Sequence, residues 1–317
     1  MTDQQCTACK SSRVSLIQPR TMLTYQKCED CGHCKQLIAT DDVSKTFVEM
    51  QAKYYGESSQ LLSVEPGLFE LEILEERFSM LNSFLSRPSK ILEVGPGSGH
   101  VLAWLLDRGH FATGVEHSPV LARQLSERLS TSIIVGEFES LELEFDSIDV
   151  FCSFHVIEHV RDPLAHLTKA YAIVRPGGFA FVATPNARSW QQIAFPSLSP
   201  NFDSAHLHVF SLASLRVFSE VVGWNVVSIS TPEHTAGWAR VLTKAVRRLK
   251  GEDEEETAGK YASMSSRWGL SVATILKTAT LPFRATQRYF QHGNEAFLVL
   301  QKPLSAVSHE TQVNHLA

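Results

Sequence analysis

The sequence is poor in the features that would remove a chain from an aqueous, reducing compartment. Its first residues, Met1-Thr2-Asp3-Gln4-Gln5, carry no basic stretch followed by an apolar run, so no secretory signal is expected. The longest apolar stretch, Trp268 to Leu276, is stopped by Lys277. It falls well short of the roughly 20 residues that a membrane helix needs. Positive charge is not in excess: 29 Lys and Arg stand against 34 Asp and Glu, a net charge of −5, which leaves no global footprint for nucleic acid. Cysteine is scarce beyond the start of the chain. Five of six lie between residues 6 and 34 while Cys152 stands alone, a distribution that suits metal binding better than a disulfide framework. No internal repeat is found, which sets solenoids and propellers aside. A cytoplasmic protein is expected.

What is present is enough for one large core and a small appendage: 317 residues, 44% hydrophobic and 20% charged. Residues 1–45 hold the cysteines and little apolar periodicity, so they read as a separate module that needs a metal staple. Residues 46–88 form a helical lead-in, in which Leu68, Leu71, Leu74, Phe78, Leu81 and Leu85 recur at helical spacing. Beyond Pro88, apolar runs at 91–94, 112–115, 133–135, 148–152, 178–183 and 226–229 alternate with helical patterns at 100–107, 119–129, 163–174 and 212–221. A last strand-like run covers 295–300. This alternation predicts an α/β fold, a Rossmann-like, doubly wound, mostly parallel seven-stranded sheet. The main domain spans 89–235 and 293–304, with a helical insertion at 236–292 and a disordered tail at 305–317.

Chemistry enters at Ile91-Leu92-Glu93-Val94-Gly95-Pro96-Gly97-Ser98-Gly99-His100, an apolar strand running into a glycine-rich turn that opens a helix. Glycine lets the backbone approach a nucleotide and adopt positive φ, and in open α/β sheets ligands lie at the carboxyl ends of the strands. A dinucleotide fold wants its third glycine one place later, where His100 stands. Glu116 ends the next strand, 21 residues after Gly95, placed to accept hydrogen bonds from ribose hydroxyls of either kind of nucleotide.

Glu93-Val94-Gly95-Pro96-Gly97-Ser98-Gly99 followed by Gly114-Val115-Glu116 resembles the cofactor signature of class I S-adenosylmethionine-dependent methyltransferases. The likeness runs on through Val135-Gly136-Glu137-Phe138, Phe145 to Val150, Phe154 to Pro163, Arg175-Pro176-Gly177-Gly178, Ala183-Thr184-Pro185-Asn186 and His206 to Ser211. These segments are similar to the branch containing ubiquinone-pathway and sugar methyltransferases. The resemblance covers residues 68–232, with 293–303 as closing strand. It implies that Glu93, Gly95, Gly97, Gly99, Glu116, His117, Glu137, Phe138 and Phe154 hold S-adenosylmethionine. An NAD-dependent oxidoreductase and a catalytically silent cofactor-binding scaffold are the alternatives.

The cofactor brings an electrophilic methyl, so the protein must align an acceptor and manage one proton. An acceptor hydroxyl needs a base, and histidine suits that task. His155, at the strand end, and His206, in the loop after the fifth strand, are the candidates. His155, Glu158 and His159 stand three and four apart, also the spacing of an inverted zinc-protease motif, but no further ligand is nominated for a peptidase. Some ubiquinone-pathway O-methyltransferases carry an acid-x-x-Glu-His version associated with a divalent cation, and here His155 replaces the first acid.

Cys6-Thr7-Ala8-Cys9 and Cys28-Glu29-Asp30-Cys31, 18 residues apart, have the spacing of a zinc ribbon, with His33 and Cys34 as possible substitutes in the second pair. Residues 1–45 carry six basic against five acidic side chains, so four bound thiolates leave little for phosphate. Nucleic acid is therefore not expected, with RNA or protein recognised through the ribbon kept as the alternative. An acceptor-side lid is the preferred role, because similar cysteine modules precede this branch in sugar and polysaccharide modification. The implied partner is a small-molecule or saccharide acceptor. Finally, Trp238, Val241, Leu242, Ala245, Val246 and Leu249 form an apolar stripe beside Arg240, Lys244, Arg247, Arg248 and Lys250. That composition fits a helix lying on an anionic membrane face near a lipid-linked acceptor.

Overall fold

The computed structural model describes residues 5–20, 23–37, 66–199, 201–202, 204–250, 274–275 and 277–304. Most of the helical lead-in before residue 66, the acidic run at 252–256, much of the second apolar stretch and the tail at 305–317 lie outside the described residues. Three short strands come first: β1 (Val14–Arg20), β2 (Leu23–Cys28) and β3 (Cys34–Gln36). Helix α1 (Leu68–Phe84) leads into β4 (Lys90–Val94), α2 (His100–Asp107), β5 (Phe111–Glu116), α3 (Pro119–Leu129) and β6 (Ile133–Val135). Then follow β7 (Ile148–Phe154), α4 (Pro163–Ile173), β8 (Val174–Pro185), α5 (Trp190–Ala194) and β9 (His208–Val209). The chain closes with α6 (Leu212–Val222), β10 (Asn225–Ser230), α7 (Thr235–Leu249), α8 (Leu281–Tyr289) and β11 (Glu295–Gln301).

Local chemistry explains the boundaries. Pro119 and Pro163 open α3 and α4 behind capping residues: Ser118 accepts from the Leu121 amide, and Asp162 from those of Leu164 and Ala165. Ser211 and Ser214 form a reciprocal capping box on α6. Strands β4, β7, β8 and β11 are buried almost throughout, the near-continuous apolar pattern of a sheet covered on both faces. The seven-stranded sheet has the order β10-β11-β8-β7-β4-β5-β6. β4 pairs in parallel with both β5 and β7, while β11 runs antiparallel to its neighbours β8 and β10. The chain winds outward from β4 in both directions, so the crevice for a ligand opens where β4 and β7 end.

Contacts cross two of the expected domain boundaries. The cysteine module is not free-standing, because β1, β2 and β3 form one four-stranded sheet with β9 of the main domain. β3 pairs antiparallel with β9, matching Cys34 to Val209 and Lys35 to His208. The insertion, in turn, is partly domain core. Arg284 of α8 is buried and ion-paired with Glu72 of α1, and Gln287 accepts from the Trp238 indole at 2.8 Å. Trp238 also packs against Phe283, so the apolar stripe of α7 is split: Val241 faces inward, whereas Leu242, Val246 and Leu249 remain exposed.

Candidate active site

The glycine turn between β4 and α2 is held in the left-handed region at all three glycines, with φ of 65° at Gly95, 54° at Gly97 and 73° at Gly99. Each has a different surrounding. A Cβ at Gly95 would stand 2.6 Å from Val156, and one at Gly99 would stand 2.5 Å from Leu125, whereas Gly97 faces open space. Gly95 and Gly99 therefore let the turn pack, and Gly97 presents bare backbone to the crevice. Helix α1 lies over this turn, its Glu70 accepting from the Ser98 hydroxyl at 3.0 Å.

Two carboxylates flank the turn. Glu93 is buried in the middle of β4, and burial pushes its carboxyl up to about 8 against the pull of Arg77. One of its oxygens has no hydrogen-bond partner, an orphan acceptor beneath the cofactor turn. Glu116, buried at the tip of β5, has its pKa raised by desolvation, and its Oε1 accepts from the Ser118 amide at 2.9 Å. A ribose diol would therefore be met by Oε2. His117 is half-buried beside it, and Glu137 is exposed at the start of the turn after β6. These residues form a cradle that fits an adenosyl group.

Two expected cofactor contacts, Phe138 and Phe154, have buried rings. The Phe138 ring is buried, 5.3 Å from the Phe151 ring and 5.2 Å from the His166 ring. Phe154 is buried against Phe297, with the Arg77 guanidinium 4.8 Å above its ring. Its size and apolarity served the core.

His155 begins the segment after β7 with φ of 57°, a conformation unusual for a side-chain-bearing residue. That backbone aims its imidazole at two carboxylates: Nδ1 lies 3.1 Å from Glu158 Oε1 and Nε2 lies 2.7 Å from Glu295 Oε2. Hydrogen bonds to these anions outweigh burial and raise His155 to about 9, while Glu158 and Glu295 are held down at about 2. With both ring nitrogens donating, His155 is an imidazolium with no lone pair to offer. This argues against the role of base that its position at the strand end invites.

His206 is brought to a second group instead. His159 and His206 stand with ring centroids 4.9 Å apart, each holding a backbone carbonyl through Nδ1: Ala205 at 2.9 Å and Asn201 at 2.9 Å. Glu158, fully buried and accepting from Thr184 Oγ1 at 3.0 Å, completes the group. The His208 amide donates to the Glu158 carbonyl at 3.0 Å, which ties the His206 loop to the segment after β7.

That loop is also a strand of the cysteine module. Tyr25 Oη donates to the His206 carbonyl at 3.0 Å, the Gln36 amide donates to the Leu207 carbonyl at 2.8 Å, and Ser211 Oγ donates to the Cys31 carbonyl. In the module itself, the amides of Lys10 and Gly32 bond back to the carbonyls of Cys6 and Cys28 at 3.0 Å each, and both residues have positive φ. The two knuckles thus have the same geometry. They bring Cys6, Cys9, Cys28 and Cys31 together, with their sulfurs within 4.8 Å of one another and two pairs at 3.6 Å. Tetrahedral zinc with bonds of about 2.3 Å requires sulfurs about 3.8 Å apart, so the four residues fit that ion. Cys34 and His33 are turned away: Cys34 packs with Tyr25, Phe202 and Val209, and His33 stacks on His208.

Residues 71–229, half of the chain, match the methyltransferase domain family. The chain belongs to that family. A probable S-adenosylmethionine-dependent methyltransferase of Mycolicibacterium smegmatis is 26% identical over 152 residues, covering 48% of this chain and 58% of the relative. A ubiquinone biosynthesis O-methyltransferase of Parvibaculum lavamentivorans is 28% identical over 156 residues, covering 46% and 50%. The chain thus spans between half and three-fifths of the length of these relatives. Among solved structures, a Burkholderia thailandensis 1,6-didemethyltoxoflavin N1-methyltransferase with bound S-adenosylhomocysteine shares the fold at TM-score 0.51 and 12% identity, covering 91% of this chain and 99% of its own.

Four residues of the candidate site were not anticipated: Arg77, Glu295, Thr184 and Asn201. Glu295 carried a usable signal, an acid at the head of the otherwise apolar run Ala296 to Leu300.

Proposed function

We propose that the protein transfers a methyl group from S-adenosylmethionine to a hydroxyl of a small-molecule acceptor, with a saccharide as the favoured class. The observation that carries this reading is the juxtaposition of the left-handed glycine turn and Glu116 with the imidazole and carboxylate group at the end of β7. Glu93, Gly95, Gly97, Gly99, Glu116 and His117 would hold the cofactor, and the bound cofactor supplies an electrophilic methyl on sulfur. The His155 imidazolium fixes Glu158 and Glu295 in place. His206, oriented through its Nδ1 bond to Asn201, takes the acceptor proton.

The acceptor side is bounded by the cysteine module, which with bound zinc is a fixed wall rather than a lid. Between module and main domain lies a groove of about 920 Å³, lined in part by Ile17, Lys27, Arg188, Ile193, Phe202 and His292. Its size is that of a site for an extended organic ligand. Its lining includes Ala187 and Arg188, which follow Thr184, the partner of Glu158, in sequence, but no residue of the glycine turn or of the group at the end of β7.

Leu242, Val246 and Leu249 are exposed at helical spacing on α7, and the same helix carries Arg240, Lys244 and Arg248. This favours peripheral contact with an anionic membrane and hence a lipid-linked acceptor. Among the described residues no helix is long and apolar enough to cross a membrane. Formation of S-adenosylhomocysteine on adding nucleotide-sugar or lipid-linked saccharide fractions, with labelled methyl recovered in the saccharide, tests the reading. Label recovered in RNA or protein instead would overturn it.

A further inference from the structure

The imidazole of His166 on α4 takes no part in the chemistry described so far. It is fully buried between the rings of Phe138 and Phe151, with centroids at 5.2 and 5.7 Å. An apolar side chain would fill that space without burying polar atoms, so packing alone does not explain an imidazole there. Both ring nitrogens are engaged: Nδ1 lies 2.6 Å from Glu139 Oε1, and Nε2 lies 3.1 Å from Ser153 Oγ. Burial raises the pKa of Glu139, but the hydrogen bond from His166 outweighs it and holds the carboxyl below its ordinary value. An ionised carboxylate can only accept, so Nδ1 donates to it and Nε2 accepts from the Ser153 hydroxyl. Serine, histidine and carboxylate in this order are also the parts of a hydrolase triad, but Ser153 is 0% exposed and no substrate reaches its oxygen.

The relay joins two parts of the cofactor crevice. At one end, Ser153 of β7 is paired with Val94 of β4, the residue immediately before Gly95. At the other end, Glu139 belongs to the short helical turn Phe138–Ser140 that follows β6. Lys169, on the same face of α4 as His166, donates to the Leu141 carbonyl just beyond that turn. The turn is also tied to the tip of β5, because the Gly136 amide donates to the Glu116 carbonyl at 3.0 Å. Glu137 stands exposed at its start. Strands β4, β5 and β6 are neighbours in that order. A nucleoside that places its ribose at Glu116, with the amino-acid end of the cofactor over the glycine turn, therefore directs its base toward the turn after β6.

We propose that His166 is a positioning residue for cofactor binding: through its bond to Glu139 it holds the turn after β6 in place to receive the nucleobase of S-adenosylmethionine. The proposal rests on the methyl-donor reading and adds to it a side chain that touches neither cofactor nor acceptor. The Glu139 bond is the one that acts on the turn, since it is short, charge-assisted and joins α4 to the turn itself. The Ser153 bond sets the direction of the ring from behind.

Asparagine and glutamine separate the two bonds, because the amide nitrogen of Asn falls near the place of Nδ1 and that of Gln near the place of Nε2. Full-length, zinc-loaded wild type and variants are titrated with S-adenosylhomocysteine by calorimetry. His166→Gln, which loses the Glu139 bond, should bind about tenfold more weakly, whereas His166→Asn, which keeps it, should stay within about threefold of wild type. Both variants lose the ring, so their unfolding midpoints should fall alike. Amide hydrogens of residues 136–141 in the free protein should nevertheless exchange faster in His166→Gln than in His166→Asn. Glu139→Ala alters a part-exposed side chain and should repeat the loss of binding, which decides the matter if His166→Gln does not fold. The proposal is overturned if Glu139→Ala binds as wild type does, or if His166→Asn weakens binding as much as His166→Gln. Either result leaves the methyl-donor reading standing, because wild type still binds. A wild type that binds no S-adenosylhomocysteine would overturn that reading and the proposal with it.

Discussion

Replacing Glu295 with Gln removes one of the two anions that hold His155 charged, at nearly constant volume. The pair is 2.7 Å apart, with Glu295 5% exposed and the His155 side chain 39% exposed. The rise of His155 from 6.5 to about 9 corresponds to roughly 3 kcal/mol at 1.36 kcal/mol per pH unit, before screening. Solvent reaches the imidazole, and Glu158 remains as a partner, so the loss should be about 1–2 kcal/mol. For a domain of this size that is a fall of roughly 2–8 °C in the unfolding midpoint. A histidine whose folded pKa is raised contributes its stabilisation fully below its unfolded value of 6.5 and loses it as pH rises through about 9. Thermal unfolding of wild type and Glu295→Gln should therefore show a larger gap at pH 6.5 than at pH 10, where the ion pair of Glu295 with Arg77 is what remains to be lost. Equal midpoints at pH 6.5, or a gap that is the same at both pH values, would refute the charged state assigned to His155.

Exchange of Glu116 for Ala removes the carboxylate that would accept from the ribose hydroxyls, about 1.5–3 kcal/mol, so calorimetry should find S-adenosylmethionine bound roughly 10- to 100-fold more weakly. Elemental analysis should give one zinc per chain in wild type and in Cys34→Ser, and none in Cys6→Ser. Because β3 pairs with β9, the zinc-free variant should also exchange amide hydrogens faster at residues 206–211. In Gly99→Ala a side chain meets both a φ of 73° and Leu125 at 2.5 Å, so chemical denaturation should show a loss of about 1–3 kcal/mol.

The sheet was legible in the sequence because buried parallel strands are short apolar runs and their helices carry local stop and start signals, as at Ser118-Pro119 and Asp162-Pro163. The left-handed glycine turn was legible for the same reason, since Gly95, Gly97 and Gly99 form a local backbone feature at a readable spacing. The partners of His155 were not, since Glu295 lies 140 residues away and only the antiparallel pairing of β11 with β8 brings it in. The cysteine module was recognisable from its two knuckles, but its attachment depends on two-residue β9, too short to leave a periodic signal. Phe138 was read as a cofactor contact from its place beside the turn, and its ring packs against Phe151, a contact that its neighbours in sequence do not announce.

The most direct test of methyl-donor binding is a pair of calorimetric titrations of the full chain, one with S-adenosylmethionine and one with NADH. The glycine turn, with His100 in place of a third dinucleotide glycine, predicts that S-adenosylmethionine binds one to one and that NADH does not. Binding of NADH without binding of S-adenosylmethionine would contradict it.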